Sequence, residues 1–221
     1  MRLLLTSDGI NNSSIHDALV GLLGKPISES DALVVPTATY AVGGPGPAWR
    51  LITGQADTPL CELGWKSLGV LELTALPSLE RERWFPWVEE TDVLLVGGGD
   101  ALYLCHWLRE SGLADLLPLL NAVYVGVSGG SMAMTPNIGK NYVAWKPPTG
   151  GDQALGIVDF AIFPHLDDEE LTSKSMADAE EWAAGISVPA YAIDGQTAIQ
   201  VTSDTVEVIS EGRWRLFSPT D

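Results

Sequence analysis

Short, predominantly apolar runs at residues 3–6, 32–35, 69–73, 92–96 and 122–127 alternate with longer stretches of helical periodicity. This alternation constrains the fold more than any other feature. A strand that is apolar at every position is buried on both faces, and a strand repeatedly followed by a helix implies parallel pairing through crossovers. Helical patterns are predicted over 14–23, from 49–55, over 79–89, 101–111 and 113–120, and from residue 129 onward. Pro36 stops the second run, and a Gly/Pro loop is expected over 40–47. The expected fold class is therefore α/β: three layers, α/β/α, around a mostly parallel central sheet.

The last third of the chain reads differently. A short strand at 160–163 precedes a helical pattern over 167–184, whose acidic first turn suits the helix dipole. Runs at 190–193, 197–201, 206–209 and 214–217 read as strands, with Asp204-Thr205 and Glu211-Gly212 as turn candidates. They are expected to extend the sheet in mixed or antiparallel fashion. With 221 residues and no linker or repeat, a single domain over 1–221 is expected.

Charge narrows the partners. With 29 acidic against 12 basic residues, the formal charge is -17. Such a surface repels phosphate backbones and anionic headgroups, so neither nucleic acid nor a membrane is an expected partner. No apolar run approaches the ~20 residues of a bilayer span, and the N-terminal run is too short for a signal-peptide core, so a cytoplasmic location is expected. Cys61 and Cys105 have neither disulfide-framework nor metal-ligand spacing, and no metal or cofactor is expected.

Chemistry concentrates where strands end. Gly126-Val127-Ser128-Gly129-Gly130 matches G-x-S-x-G, with a strand running in and a helix-compatible stretch running out. Small residues let the backbone make the cramped turn that exposes the serine at a helix N-terminus. The alternative is a Gly-rich turn that binds phosphate. A second Gly-rich turn, Gly97-Gly98-Gly99-Asp100, also closes a strand. Strand carboxyl ends share one crevice in an open parallel sheet, so the amides of Gly99 and Gly129 are candidates for an oxyanion hole. Neither a G-x-G-x-x-G nor a Walker pattern is present, which argues against a nucleotide site.

A serine hydroxyl needs a base. Of three histidines, His165 follows the apolar run Phe160–Phe163 and Pro164, again at a strand end, whereas His16 and His106 fall in helical patterns. The histidine needs a carboxylate to fix its tautomer. Asp194, directly after an apolar strand, is preferred to Asp167, although Asp194-Gly195 also suits a plain hairpin turn. Trp49 and Trp145, in or near Gly/Pro loops, are candidates to line a pocket, and 141–152 is a candidate flap.

These residues in this order resemble the dipeptidase E family, the aspartyl dipeptidases, from about Leu3 to Val201. The resemblance implies a fold similar to class I glutamine amidotransferases, with cyanophycinases as relatives. It implies Ser128 as nucleophile, His165 as base, Asp194 at the acidic position, and Gly99 and Gly129 as oxyanion-hole donors. The expected activity is serine-type hydrolysis of small peptides by a monomer or homodimer. The alternatives are an esterase with the same residues, or a non-catalytic ligand-binding member of the fold. One departure concerns specificity: the Arg-rich sequence that the family carries after the histidine is here Leu171-Thr172-Ser173-Lys174-Ser175-Met176, with one Lys and no Arg. Without a guanidinium fork there, an Asp-X preference is not expected.

Overall fold

The structure, a computed structural model, describes residues 1–148, 150–203 and 205–219. Asp204, half of one expected turn, lies outside them. The chain runs β1 (Arg2–Thr6), α1 (Ser13–Leu23), β2 (Asp31–Val35), α2 (Thr37–Gly43), α3 (Pro45–Ile52), β3 (Ser67–Val70), α4 (Arg81–Glu90), β4 (Val93–Val96), α5 (Ala101–Glu110), α6 (Leu113–Leu116), β5 (Val123–Val127) and α7 (Gly129–Met132). The remainder is β6 (Ala161–Phe163), α8 (Met176–Ala183), β7 (Ala190–Ile193), β8 (Thr197–Val201), β9 (Val206–Ser210) and β10 (Trp214–Phe217).

Seven strands form one sheet in the order β3-β2-β4-β5-β1-β8-β9. The first five are parallel, and β8 and β9 continue antiparallel. Strand period decides where each side chain goes. Leu3, Leu5, Leu33, Val35, Leu94, Val96 and Tyr124 point into a core shared with α4 and α5. Their neighbours Leu4, Val34, Val93, Leu95, Val123 and Val125 point the other way, onto Ile15, Leu19 and Leu22 of α1 and Leu51 of α3. The sheet is thus covered on both faces, and the central residues of its inner strands are apolar on both. At the edge, β3 leaves Leu68 and Val70 exposed.

Three expected features are corrected. First, β6, β7 and β10 do not join the main sheet. They form a second one, β10-β7-β6, with β6 and β7 parallel. Alternation again explains it: Phe160, Ile162 and Ile193 face the main core, while Ala161, Phe163, Ala190 and Ala192 face Trp182 and Ala179 of α8. A sheet with two apolar faces needs cover on both, and the main core and α8 supply it. Second, the expected 40–47 loop is mostly helical. α2 and α3 are separated only by Gly44, at φ 70°, and Pro45 opens α3 where its missing N–H costs no hydrogen bond. Third, the helix expected over 167–184 begins only at Met176. A capping box between Ser175 and Asp178 sets its start. The preceding residues form a loop closed by Asp167 N–H donating to the Lys174 carbonyl at 2.7 Å. Asp168, Glu169 and Glu170 therefore lie in this loop and not in a first helical turn.

Candidate active site

β1, β4 and β5 run parallel, so their carboxyl ends share one rim. Register sets Thr6 beside Val127, so Ser7-Asp8 and Ser128-Gly129 leave the sheet side by side. Ser128 adopts φ 50°, ψ −112°, strained for a residue with a Cβ, between the end of β5 and α7. The strain is held by surrounding bonds. Ser128 N–H donates to the Thr6 carbonyl at 3.0 Å and Ser131 Oγ donates to the same oxygen at 2.8 Å. Tyr124, fully buried, donates its hydroxyl to the Gly130 carbonyl at 2.7 Å.

His165 follows β6 at φ 62°, and its N–H donates to Ser7 Oγ at 2.8 Å. That backbone turn aims the ring at the end of β5, where Nε2 lies 2.7 Å from Ser128 Oγ. On the ring's other side Nδ1 lies 2.8 Å from Asp8 Oδ1. This approach is close but off-axis, because Nδ1 makes no aligned hydrogen bond. Catalytic contacts commonly tighten only when substrate is bound.

The carboxylate at the histidine is therefore Asp8, and Asp194 is corrected. Asp194 accepts from Gln196 N–H at 3.0 Å, from Thr197 Oγ1 at 2.7 Å and from Arg213 N–H, so it closes the turn between β7 and β8. Asp167 pairs with Arg213 at 2.7 Å. Asp8 carries the same signal that singled out Ser128 and His165, a polar residue just past an apolar strand. Its significance depends on β1 lying next to β5, and strand order is not written in a single sequence.

The two Gly-rich turns do meet. A Cβ on Gly129 would fall 2.2 Å from the Gly99 carbonyl oxygen, so no other residue fits there without moving backbone. Gly98 lies nearer Ser128 than Gly99 does: its Cβ position is 3.3 Å from Ser128 Cβ and 3.9 Å from Oγ, and Gly98 rather than Gly99 lines the cleft. Among the described residues the amides of Gly98, Gly99 and Gly129 donate no hydrogen bond. Gly129 is buried, and a buried N–H without an acceptor is costly. A substrate oxygen would supply one.

The cleft holds about 300 Å³ and is bounded by Asp8, Ser128, His165, Gly97, Gly98 and the segment from Pro47 to Thr58. Of the candidate flap, Thr149 lies outside the described residues, and 141–148 and 150–152 do not border this cleft. Tyr142 packs on Phe163 and Trp182, and Trp145 packs on Tyr103 and His106. Trp49 is exposed on α3. His106 is thus an aromatic packing residue, and His16 is a surface residue beside Asp17. Both cysteines are free, and burial pushes each thiol up to about 12, too high to serve as a nucleophile near neutral pH.

With this geometry in view, comparison with known proteins is decisive at the family level. The model of peptidase family S51 matches residues 3–209. The chain belongs to peptidase family S51, and it is a peptidase. It is 28% identical over 174 residues to peptidase E of Salmonella arizonae, covering 75% of this chain and 69% of that protein. It is 28% identical over 144 residues to a protein of Drosophila melanogaster named as an alpha-aspartyl dipeptidase, covering 59% of this chain and 58% of that one. Two solved structures share the fold. One is assigned as peptidase E from Listeria monocytogenes EGD-e, with TM-score 0.62, 20% identity and coverage of 96% of this chain and 98% of that one. The other is a peptidase from an acI-B1 Actinobacterium, with TM-score 0.66, 17% identity and coverage of 100% and 95%. No helix among the described residues is long and apolar enough to cross a membrane.

Proposed function

We propose that this peptidase cleaves short peptides through an acyl-enzyme, with Ser128 as nucleophile, His165 as base and then acid, and Asp8 as the carboxylate that orients the histidine. The observation that carries the reading is the 2.7 Å separation of Ser128 Oγ and His165 Nε2 at a strained strand-to-helix turn. In the productive tautomer Nδ1 carries the proton facing Asp8, leaving the Nε2 lone pair to accept from Oγ–H. Oγ attacks the peptide carbonyl as its proton passes to Nε2, and the carbonyl π electrons move onto oxygen. The Gly129 amide and that of Gly98 or Gly99 stabilise the oxyanion, each contributing about 3 kcal/mol in a site of this kind. The tetrahedral adduct collapses, the C–N bond breaks, and His165 protonates the leaving amine. Water then gives a proton to Nε2 and attacks the ester; as the adduct collapses the Oγ–C bond breaks, Nε2 returns that proton to Ser128 Oγ and the acid product leaves.

A cleft of about 300 Å³ is at the small end for ligand pockets, which favours a substrate of a few residues. An esterase would use the same groups, and a dipeptide panel run against simple esters separates the two. The test of shared action is a cycle of Ser128→Ala, His165→Ala and the double variant. Each single change is expected to lose about as much turnover as the double, because the two act as one unit. Additive losses, or full activity in Ser128→Ala, would refute the reading.

A further inference from the structure

Arg50 is a cation in a place where the chain otherwise gathers negative charge. It sits in the last turn of α3 and borders the cleft that contains Ser128 and His165. Among the described residues its guanidinium has no ion-pair or hydrogen-bond partner. Several other cations are engaged, Arg213 with Asp167, Arg215 with Glu180, Lys66 with Asp31 and Lys25 with Asp92, and none of these borders the cleft. Even the lysine in the loop after the histidine is committed. Lys174 donates to Tyr142 Oη at 2.6 Å, lies over the Tyr142 ring at 4.2 Å, and borders a different cavity.

We propose that Arg50 is a specificity-determining residue that binds a carboxylate of the substrate. The proposal rests on the peptidase mechanism proposed above. In a peptide of two or three residues a free carboxylate is never more than a few bonds from the scissile carbonyl. A cation bordering a cleft this small therefore meets it while Ser128 meets the carbonyl. The guanidinium fork donates to both carboxylate oxygens at once. Asp8 and Asp57 border the same cleft, so a monoanionic carboxylate is tolerated where a phosphate dianion is repelled. The carboxylate has two sources, an acidic side chain beside the scissile bond or the peptide's C-terminus.

The experiment measures kcat/KM for wild type, Arg50→Ala and Arg50→Lys on matched pairs: Asp-Ala against Asn-Ala for the side chain, Ala-Ala against Ala-Ala-amide for the C-terminus. The rate at which a fluorophosphonate labels Ser128 is measured alongside. For one pair, Arg50→Ala should lose roughly 10- to 100-fold on the acidic member and little on its neutral partner, at an unchanged labelling rate. Arg50→Lys should fall between. The pair that responds identifies the source. Equal losses on both members of both pairs, or no loss on any, overturn the proposal. Absence of labelling in wild type would instead strike at the mechanism on which it rests.

Discussion

Replacing Asp8 by Asn probes the assignment that differs most from the sequence reading. The Nδ1–Oδ1 separation is 2.8 Å, with the Asp8 side chain 30% and the His165 side chain 17% exposed. When Nε2 takes the serine proton, the ring becomes a cation beside this carboxylate. With about 4 Å between charge centres and an effective dielectric of about 20, the attraction is about 4 kcal/mol. Partial exposure of Asp8 raises the effective dielectric, and doubling it to about 40 leaves about 2 kcal/mol. Asp8→Asn should therefore lower kcat/KM by roughly 30- to 1,000-fold, with little change in Tm. Asp194→Asn should do the opposite. It weakens acceptors of the β7–β8 turn, costing about 1 kcal/mol of stability, and leaves kcat/KM within a few fold. The assay is steady-state hydrolysis of the best dipeptide, with circular dichroism melts to show that each variant is folded. Full activity in Asp8→Asn, or a folded Asp194→Asn variant that loses the activity instead, would refute the reasoning.

Two glycines make a contrasting pair. Gly129→Ala places a methyl 2.2 Å from the Gly99 carbonyl oxygen, so a loss of at least about 2 kcal/mol in chemical denaturation is expected, together with activity. Gly98→Ala meets Ser128 Cβ and the Val127 carbonyl at 3.3 Å, which small shifts relieve, so stability should hold while kcat/KM falls. Equal behaviour of the pair would contradict the site geometry. Stability should also depend on pH through Lys174, whose ammonium is lowered by burial from its ordinary 10.5 to about 8. Between those values the unfolded chain holds a proton the folded chain has lost, so stability rises with pH, by roughly 1–2 kcal/mol after allowing for solvent screening. Burial raises the hydroxyls of Tyr124 and Tyr142 above their ordinary 10.0, so stability is lost again above about pH 10. Urea midpoints at pH 7.5, 9 and 11 should peak at the middle value, and Lys174→Met should lack the rise.

The fold is largely legible because short apolar runs, each followed by a helical pattern, mark strands buried on both faces. Leu3-Leu4-Leu5 and Val93-Leu94-Leu95-Val96 are too short for helices and are separated by helical patterns, which fits inner strands of a covered sheet. What the pattern could not give was which strand lies beside which. Asp8 was overlooked for that reason: it stands 120 positions before Ser128, and only the parallel β1–β5 register brings them together. The second sheet was missed because alternation specifies two buried faces without saying what covers them, and Trp182 of α8 is the cover for Phe163. Arg50 is equally hidden: its stretch reads as helical, but nothing in the sequence sets that helix against the carboxyl ends of β1 and β5. Ser128 and His165 were legible because each ends a strand and each chemistry admits few residue types.

The central claim is that Ser128 is an activated nucleophile. Intact-mass spectrometry after exposure to a fluorophosphonate, followed by peptide mapping, tests it most directly. One adduct per chain is expected, on Ser128, formed far more slowly in His165→Ala and absent in Ser128→Ala. A folded wild-type protein that takes no adduct, or takes it on another residue, would contradict it.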